Sequence, residues 1–521
     1  MKKTMKQYSF ASRLKSLALV FGIALAFASC ANEEIAQNPN GTDNNKNFTI
    51  FSTGDPATRT SMESNGAFYW EAGDKIWVKD DNGTWRQSRN APTEKTATFK
   101  FEVPGSFTKT TTYKVYYPGQ NGNQNQVTIA ANQSQAEPNT TAHFGTSGDC
   151  GMADAAWSNA KNGFAFTLDH KAAYLLFLPR TSNTILHDCY LTKVEVNSDN
   201  DITSTYTLNP TTGTLTGTGS GKQIVVATVG SGTYANGFPL TNNATSAATN
   251  GAYVVIKPGT HTLKVRYWVK DVATGTEGTI TKTLSSAIYD QNKYYNITAN
   301  LDVKNYDGDH YYMWDAQEQY WKGYEWTKNL GTGVGQPTLF GQPAGNYAYT
   351  DRDSRYANES YPGYRVSNSA THSSFNNVPN VNEMTWYAAK GDPRGDKDEL
   401  WTTMGHLYKG GMWFKKKVNI SEFNSNTAYD GTDWRTIKEY KSWKASEILL
   451  SAAEAGNYFY LPAMGYYRDG QLYINNINGA YWSSSAQPEY RSQAYMLEFN
   501  IGYVTVGYGS RYLGLRVGAF E

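Results

Sequence analysis

The sequence is short of net charge, of charged residues overall and of cysteine, and each shortage excludes a class of protein. Its 47 Lys and Arg are balanced by 46 Asp and Glu, so it lacks the positive excess that holds nucleic acid by counterion release. Only 18% of its 521 residues are charged and 47 are glycine, which argues against a coiled coil or a charged disordered chain. Three cysteines are too few for a disulfide scaffold of this length. A hydrophobic content of 39% instead indicates buried cores, and the length predicts about three domains.

Long hydrophobic runs are also missing, apart from one of eleven residues at 17–27. Five basic residues precede this run and two small residues follow it, which is the layout of an export signal over residues 1–29. As a helix the run would be roughly 16 Å long, against a hydrocarbon core of about 30 Å, so it cannot span a bilayer. After its removal the chain would carry 42 basic and 46 acidic groups.

Cys30 follows the small residues directly and resembles the acylated cysteine of bacterial lipoproteins. The acidic pair Glu33-Glu34 resembles the tag that takes such lipoproteins to the outer face of the outer membrane in Bacteroides-type bacteria. We therefore predict lipidation of Cys30, a disordered tether over residues 30–47 and a surface location. The alternative is a spare cysteine in an ordinary signal peptide.

Two cysteines remain, Cys150 and Cys189. Export permits a disulfide, which would close a loop of about 40 residues and contribute at most about 4 kcal/mol. At this point the sequence is compatible both with a disulfide between these two cysteines and with two thiols.

Residues 48 to 303 read as short β-strands. Strict alternation of apolar and polar residues marks 96–103 and 262–269, and turn sequences such as Asp81-Asn82-Gly83 lie between the runs. We predict a mainly β fold that begins with two tandem antiparallel β-sandwiches, over residues 48–183 and 184–303.

The composition changes after residue 303, where nine of the 14 Trp lie. Asn380 with Glu383 is a capping-box pattern that predicts a helix through Lys390, closed by Gly391. Ser446 is predicted to cap a second helix over 447–455, which Gly456 closes, and a weaker pattern predicts a third helix over 399–409. We therefore predict a third, α+β domain over residues 304–521.

The first half resembles the fimbrillin, or Mfa-like, family of type V pilins, whose sandwiches are transthyretin-like. The patterns that carry the resemblance are Ala57-Thr58-Arg59-Thr60, the segment 68–78, and the strands 168–179, 206–208, 253–259 and 293–297. The second half resembles C-type-lectin-like and FISUMP-type modules, on the segments 460–466, 479–485, 494–499 and 514–517. The first resemblance covers roughly 250 residues, and the second is informative on fold but almost silent on ligand.

The resemblance to fimbrillins implies maturation by proteolysis and assembly by strand addition. A protease removes the first strand, and a segment of a neighbouring subunit fills the groove. Arg59 is the candidate cleavage site, with an ordinary loop residue as the alternative. The strand to be removed contains Phe48, Thr49, Ile50, Phe51 and Ser52.

The resemblance also predicts a position in the fibre. Stalk subunits of the family donate the last strand of the pilin part, whereas this chain runs from Val303 into another domain and ends at Glu521 with no free strand. It is therefore expected to be a tip pilin, with other pilin subunits as partners and a lipid anchor in the outer membrane before maturation.

Nothing in the sequence predicts an enzyme, a cofactor or a metal site. The seven histidines are scattered without metal-binding spacing, and no cysteine follows Cys189 for formylglycine-type oxidase chemistry. Gln487-Pro488-Glu489 is similar to a calcium-lectin triplet, and 197–201 begins like an EF-hand but lacks its Gly and terminal Glu. Arg394-Gly395-Asp396 is an integrin-type tripeptide that is more simply explained as turn residues.

Aromatic residues are concentrated in 311–361 and 401–443. Such rings can stack on sugars, but they can equally fill a core that is poor in Leu and Ile. The candidate ligand-binding residues are Trp401, Trp413, Trp434, Trp443 and Trp482. The function predicted overall is a pilus tip adhesin that binds a glycan or a host surface protein. The rival prediction is a surface lipoprotein that binds glycans and never polymerises.

Overall fold

The computed structural model describes residues 48–53, 61–62, 68–325, 336–358, 369–451 and 453–521. As predicted, the fold is mainly β, with several sheets and short helical segments. The first part of the chain supplies β1 Phe48–Thr53, β2 Ser61–Met62, β3 Phe68–Tyr69, β4 Trp77–Lys79, β5 Trp85–Gln87, β6 Lys100–Pro104, β7 Tyr113–Tyr117, β8 Gln126–Ile129, β9 Asn132–Ser134, α1 Phe144–Ser147, β10 Gly151–Ser158, β11 Gly163–Phe166, β12 Asp169–His170 and β13 Ala173–Arg180.

The middle part contains β14 Tyr190–Ser198, β15 Ser204–Leu208, β16 Leu215–Thr216, β17 Gln223–Ala227, β18 Phe238–Pro239, α2 Ala247–Asn250, β19 Ala252–Ile256, β20 Gly259–Lys270, β21 Glu277–Tyr289 and β22 Tyr294–Asn300. The last part contains β23 Lys304–Tyr306, β24 Tyr311–Tyr312, α3 Val381–Lys390, β25 Arg394–Thr403, β26 His406–Lys415, β27 Lys441–Lys444, β28 Tyr458–Pro462, β29 Tyr466–Arg468, β30 Gln471–Tyr473, β31 Gly479–Ala486, β32 Gln493–Asn500, β33 Tyr503–Ser510 and β34 Leu515–Arg516.

The first sheet has the order β5-β4-β7-β10-β11-β1-β6, with β12 paired to β10. The two edges of this sheet approach each other: the backbone N–H of Arg89, just after β5, donates to the carbonyl of Glu102 in β6 at 2.9 Å. The enclosed core is rich in aromatic side chains, including Phe51, Trp70, Phe101 and Phe164. This barrel-like sheet holds the strand that the sequence predicts to be removed.

The second core lies between the sheets β19-β13-β22 and β21-β20-β14-β17-β9. The central strand β13 is buried along almost its whole length, as its run of apolar residues predicts. β13 comes before the predicted boundary at 183/184 but packs on the same core as β14, and β8 and β9 also join sheets of this part. Where the chain divides into units that fold alone stays a prediction. Most pairs of described strands are antiparallel; the parallel pairs are β1 with β11, β9 with β17, β13 with β22, β23 with β25 and β31 with β34.

The last part consists mainly of the sheets β23-β25-β26-β28 and β24-β34-β31-β32-β33-β27, with α3 packed on strands of both. Helix α3 confirms the capping-box prediction: the Asn380 side chain accepts from the Glu383 N–H, and the Glu383 carboxylate accepts from the Asn380 N–H. It ends at Gly391, as predicted. Within the described part of the chain, no helix combines the length and the apolar character needed to cross a membrane.

The two other predicted helices are wrong. Residues 399–409 belong to the β25–β26 hairpin, which turns at Met404 and Gly405, and both have positive φ. The hairpin directs Leu400 and Leu407 into the core of the preceding part, a tertiary contact that overrides helix propensity. Ser446 is not a helix cap. It forms an isolated parallel β-bridge with Arg394, and its carbonyl accepts a hydrogen bond from the Gly395 N–H at 2.8 Å.

The β20–β21 turn contacts the β25–β26 turn directly. Asp271, only 4% exposed, accepts hydrogen bonds from the Leu407 N–H at 3.0 Å and from the His406 Nδ1 at 3.1 Å. Burial raises the pKa of Asp271, but the bonds from His406 and Leu407 oppose this effect and outweigh it, so the pKa lies below its usual value. Thr274 and Lys409 add two more bonds across this junction.

Candidate functional site

Strand β1 is hydrogen-bonded on both sides. It runs antiparallel to β6, with Phe51 opposite Phe101, and parallel to β11, with Phe51 opposite Phe164. The fit to β11 is close, since a Cβ at Gly163 would lie 2.6 Å from the carbonyl oxygen of Ile50. Loss of β1 would therefore leave β6 and β11 with unpaired backbone groups on facing edges, separated by a groove as wide as one strand. Such a groove is suited to receive another extended segment.

Phe51 provides the hydrophobic anchor of β1. Its side chain is fully buried, its ring stacks on Phe164 at 4.9 Å between centroids, and it meets the edge of Phe107 at 5.1 Å. Truncation of a buried Phe commonly costs about 3–5 kcal/mol. Removing β1 would consequently open an aromatic-walled furrow that favours a replacement side chain of similar size.

The two ends of β1 differ. At the start of the strand the Arg89 guanidinium lies 3.7 Å from the ring centroid of Phe48 and pairs with Glu102 at 2.7 Å. At its end the Thr53 Oγ1 accepts from the Phe99 N–H at 2.8 Å, and Lys161 Nζ donates to the Thr53 carbonyl at 2.8 Å. An open cleft lined by Ser52, Lys100 and Asn162 adjoins this end.

The predicted cleavage and lipidation sites, Arg59 and Cys30, lie outside the described residues, as do the signal peptide and the tether. The described chain ends at Thr53 and resumes at Ser61, with Arg59 in the interval. Cleavage after Arg59 and acylation of Cys30 therefore stay predictions.

Cys150 and Cys189 are both buried and are not joined by a disulfide in this structure. Burial, reinforced by the neighbouring Asp149, raises the pKa of the Cys150 thiol well above its usual range. A thiol in that state is a poor nucleophile.

Three of the five tryptophans proposed to bind ligand are core residues, which corrects that prediction for them. Trp401, Trp434 and Trp482 are at most 1% exposed. Their indole N–H groups donate within the protein, to the Gly410 carbonyl, the Asp430 carboxylate and the Tyr312 carbonyl respectively. A ring enclosed in this way has no face for a sugar.

The remaining two, Trp413 and Trp443, are half-buried. The Trp413 N–H donates to Asp396 at 3.2 Å, and Trp443 lies against Trp434 and Tyr429. A ligand-binding role for these two stays a prediction.

The Arg394-Gly395-Asp396 tripeptide lies in strand β25, not in the polar loop expected from the sequence. Asp396 is 8% exposed and accepts from the backbone of Asp398 and Glu399, while Arg394 is engaged by Asp392. The tripeptide is therefore not presented as a flexible integrin-type loop.

The two calcium-like motifs are also occupied by internal bonds. Gln487 is 1% exposed, and its Oε1 accepts from the backbone of Glu489. Asp199 and Asp201 lie in the turn between β14 and β15, where they accept from the Thr262 N–H and from Lys257. Among the described residues, no group of three or more His, Cys, Asp or Glu side chains is arranged to hold a metal ion.

Two adjoining clefts in the last part of the chain hold functional candidates that sequence reasoning did not single out. One is lined by tyrosines, including Tyr347, Tyr349 and Tyr512, and the other by polar side chains, including Asp351 and Arg491. Tyr349 is 77% exposed, whereas Tyr311, Trp314 and Trp321 of the same aromatic-rich segment are buried. The segment 311–361 is conspicuous in the sequence, but composition does not show which of its rings face solvent.

No protein-family model and no curated protein matches this chain. Among solved structures, a candidate cell adhesion protein from Bacteroides ovatus is 16% identical, with a TM-score of 0.29, over 48% of this chain and 92% of its own. A fimbrial protein from Bacteroides ovatus is 10% identical, with a TM-score of 0.27, over 90% of this chain and 98% of its own. The fimbrial anchor protein Mfa2 from Porphyromonas gingivalis is 10% identical, with a TM-score of 0.22, over 48% of this chain and 90% of its own. Scores this low describe a distant likeness of architecture and carry no information on what this chain binds.

Proposed function

We propose that this protein is an adhesive subunit of a surface pilus, assembled by exchange of strand β1 for a segment of another subunit. The observation that carries the proposal is the position of β1 between β6 and β11, with Phe51 filling an aromatic furrow. The resemblance of the first half to fimbrillins supports the same mechanism. Lipidation at Cys30 and cleavage after Arg59 would then serve export and maturation.

We also propose that the subunit occupies the tip. The segment after β22 is β23, which pairs with Trp401–Thr403 of β25 as the edge strand of the sheet β23-β25-β26-β28. A segment held in this way is not free to fill the groove of a neighbour. The last part of the chain, whose lectin-like fold remains a prediction, would present the binding surface.

N-terminal sequencing of the surface-exposed protein tests the proposal. A pilus subunit should begin after β1, at Thr60 if Arg59 is the cleavage site. A protein that retains acylated Cys30 and β1 on the cell surface would contradict strand exchange and favour a stationary glycan-binding lipoprotein. That second candidate is favoured by one observation, the exposed tyrosines of the last part.

A further inference from the structure

Two adjoining clefts share Tyr356 as a common wall. The first, here the tyrosine cleft, has a volume of about 220 Å³ and is lined by Tyr320, Tyr347, Tyr349, Tyr356, Asp469 and Tyr512. The second, here the polar cleft, has a volume of about 440 Å³ and is lined on its open side by Gln317, Asp351, Asp353, Asn358, His372 and Arg491. Together they form a continuous surface with an aromatic half and a polar half.

The outer rings of the tyrosine cleft are not required by the core. Tyr349 is 77% exposed and Tyr512 is 41% exposed, whereas Tyr320 at the base is 1% exposed and stacks on Tyr467 at 5.2 Å. Tyrosines with open faces combine an apolar surface for stacking with a hydroxyl for hydrogen bonding. The apolar half of a ligand therefore belongs over Tyr349 and Tyr512.

The polar cleft offers planar hydrogen-bonding groups but no excess of positive charge. Three carboxylates line it, Asp315, Asp351 and Asp353, against one guanidinium, that of Arg491. Asp315 is saturated by Asn358, Thr371 and His372, and so serves as internal support. Asp353 is paired with Arg355, which leaves the Asp351 carboxylate beside the Arg491 guanidinium and no net positive charge to attract phosphates, sulfates or acidic sugars.

The segment 347–358, which lines both clefts, is held by hydrogen bonds from two buried arginines. Arg355, only 7% exposed, forms a bidentate pair with Asp353 at 2.6 and 3.0 Å and donates to the Asn346 carbonyl at 2.8 Å. Arg511 donates to the Asn358 carbonyl at 2.9 Å and lies over Trp314. A preformed surface loses little conformational entropy when it binds.

We propose that the tyrosine cleft and the polar cleft together bind a neutral saccharide. A sugar ring has one face of C–H groups, which matches Tyr349 and Tyr512, and a rim of hydroxyls, which matches amide, carboxylate and guanidinium groups. The inference rests on the adhesive role proposed above and specifies the class of its ligand.

The test uses the uncleaved protein, with β1 in place, on an array of neutral glycans ending in mannose, glucose, galactose or N-acetylglucosamine, with sialylated glycans beside them. We expect binding to at least one neutral glycan and weaker binding to its sialylated form. Replacing both exposed rings, in the double variant Tyr349→Ala and Tyr512→Ala, should weaken binding by about tenfold or more. The double variant Tyr349→Phe and Tyr512→Phe keeps both stacking faces and should retain most of the affinity.

Tyr294→Ala is the matched control, because Tyr294 is 48% exposed but lies in β22, outside both clefts. It should bind like the unaltered protein. Absence of binding to every neutral glycan, equal binding by the alanine double variant, or a preference for sialylated glycans would each overturn the inference. These outcomes are independent of strand exchange, so they do not decide whether the protein polymerises.

Discussion

His143 is a buried histidine that is held in its neutral form. Its Nε2–H donates to the Tyr253 carbonyl at 3.2 Å, while its Nδ1 is buried without a hydrogen-bond partner among the described residues. Protonation would place a charged N–H at that position. Burial accordingly lowers the pKa of His143 to about 4, despite the opposing effect of the bond to Tyr253.

This shift predicts a loss of stability in mild acid. The unfolded chain takes up the proton near the ordinary pKa of about 6.5, so stability is complete above that pH and falls until about pH 4. The loss should approach about 3 kcal/mol in the free energy of unfolding. Urea denaturation at pH 7, 5.5 and 4 measures it, and His143→Gln should remove this part of the decline.

His187→Gln is the matched control, because His187 is half-buried and its ring bonds the Thr181 carbonyl rather than a carboxylate. It should keep the decline of the unaltered protein. Parallel pH profiles for the protein and for His143→Gln would contradict the assignment to His143.

The tryptophans show what single residues reveal in a sequence and what they do not. Residue type predicts that Trp401, Trp434 and Trp482 are either core or binding residues, and the choice depends on which strands cover them. Trp482, for example, is closed off by Tyr312, which is 170 positions away. Contacts at such separation have no local signature, so the exposed Tyr349 and the buried Trp314 look equivalent in the sequence.

At the scale of elements, strand β1 allows a reversible test of exchange. Ser52 of β1 lies directly opposite Lys100 of β6 in the antiparallel ladder. Cross-strand pairs have Cβ atoms within about 4.5–5.5 Å, close to the spacing that a disulfide requires. In the double variant Ser52→Cys and Lys100→Cys, oxidation should retain β1 even after cleavage near residue 59.

The oxidised variant should remain monomeric, and addition of a reductant should restore its incorporation into fibres. Electron microscopy and sedimentation would measure both states. The single variant Lys100→Cys is the control and should assemble with or without reductant. Fibres formed by the oxidised double variant would contradict exchange of β1.

The elements also differ in how far local sequence predicts them. Helix α3 is predictable because its capping box and its closing glycine are all within the segment itself. The β25–β26 hairpin is not, because Leu400 and Leu407 are stabilised by packing on a different part of the chain. The period-2 pattern at 96–103 predicts β6, but nothing local shows that β6 pairs with β1, about 50 residues earlier.

For the whole molecule, the junction at Asp271 predicts mechanical coupling between the second core and the last part of the chain. Leu407 and His406 both donate to Oδ2 of Asp271, and Asp271→Asn removes the negative charge that strengthens these two bonds. We expect a decrease of about 1–3 kcal/mol in the free energy of unfolding. Hydrogen exchange at the Leu407 amide should accelerate at the same time.

Asp290→Asn is the control, since Asp290 is exposed in the turn after the other end of β21. It should leave both measurements unchanged. Equal protection of the Leu407 amide in Asp271→Asn and in the unaltered protein would show that the junction does not depend on this carboxylate.

The course of the chain after β22 predicts where the subunit lies in a fibre. A stalk subunit must both accept and donate a strand, whereas here the segment that follows the second core is committed to β25 through Lys304–Tyr306. Separating β23 from β25 would break this pairing and the edge-to-face contact between Tyr306 and Trp401 at 6.0 Å, so donation of this segment carries a cost. Immunogold labelling of purified fibres should therefore place this protein at one end of each fibre, with an antibody against a shaft subunit as the control for access. Gold at regular intervals along the shaft would mean that a donor segment exists and that the tip position is wrong.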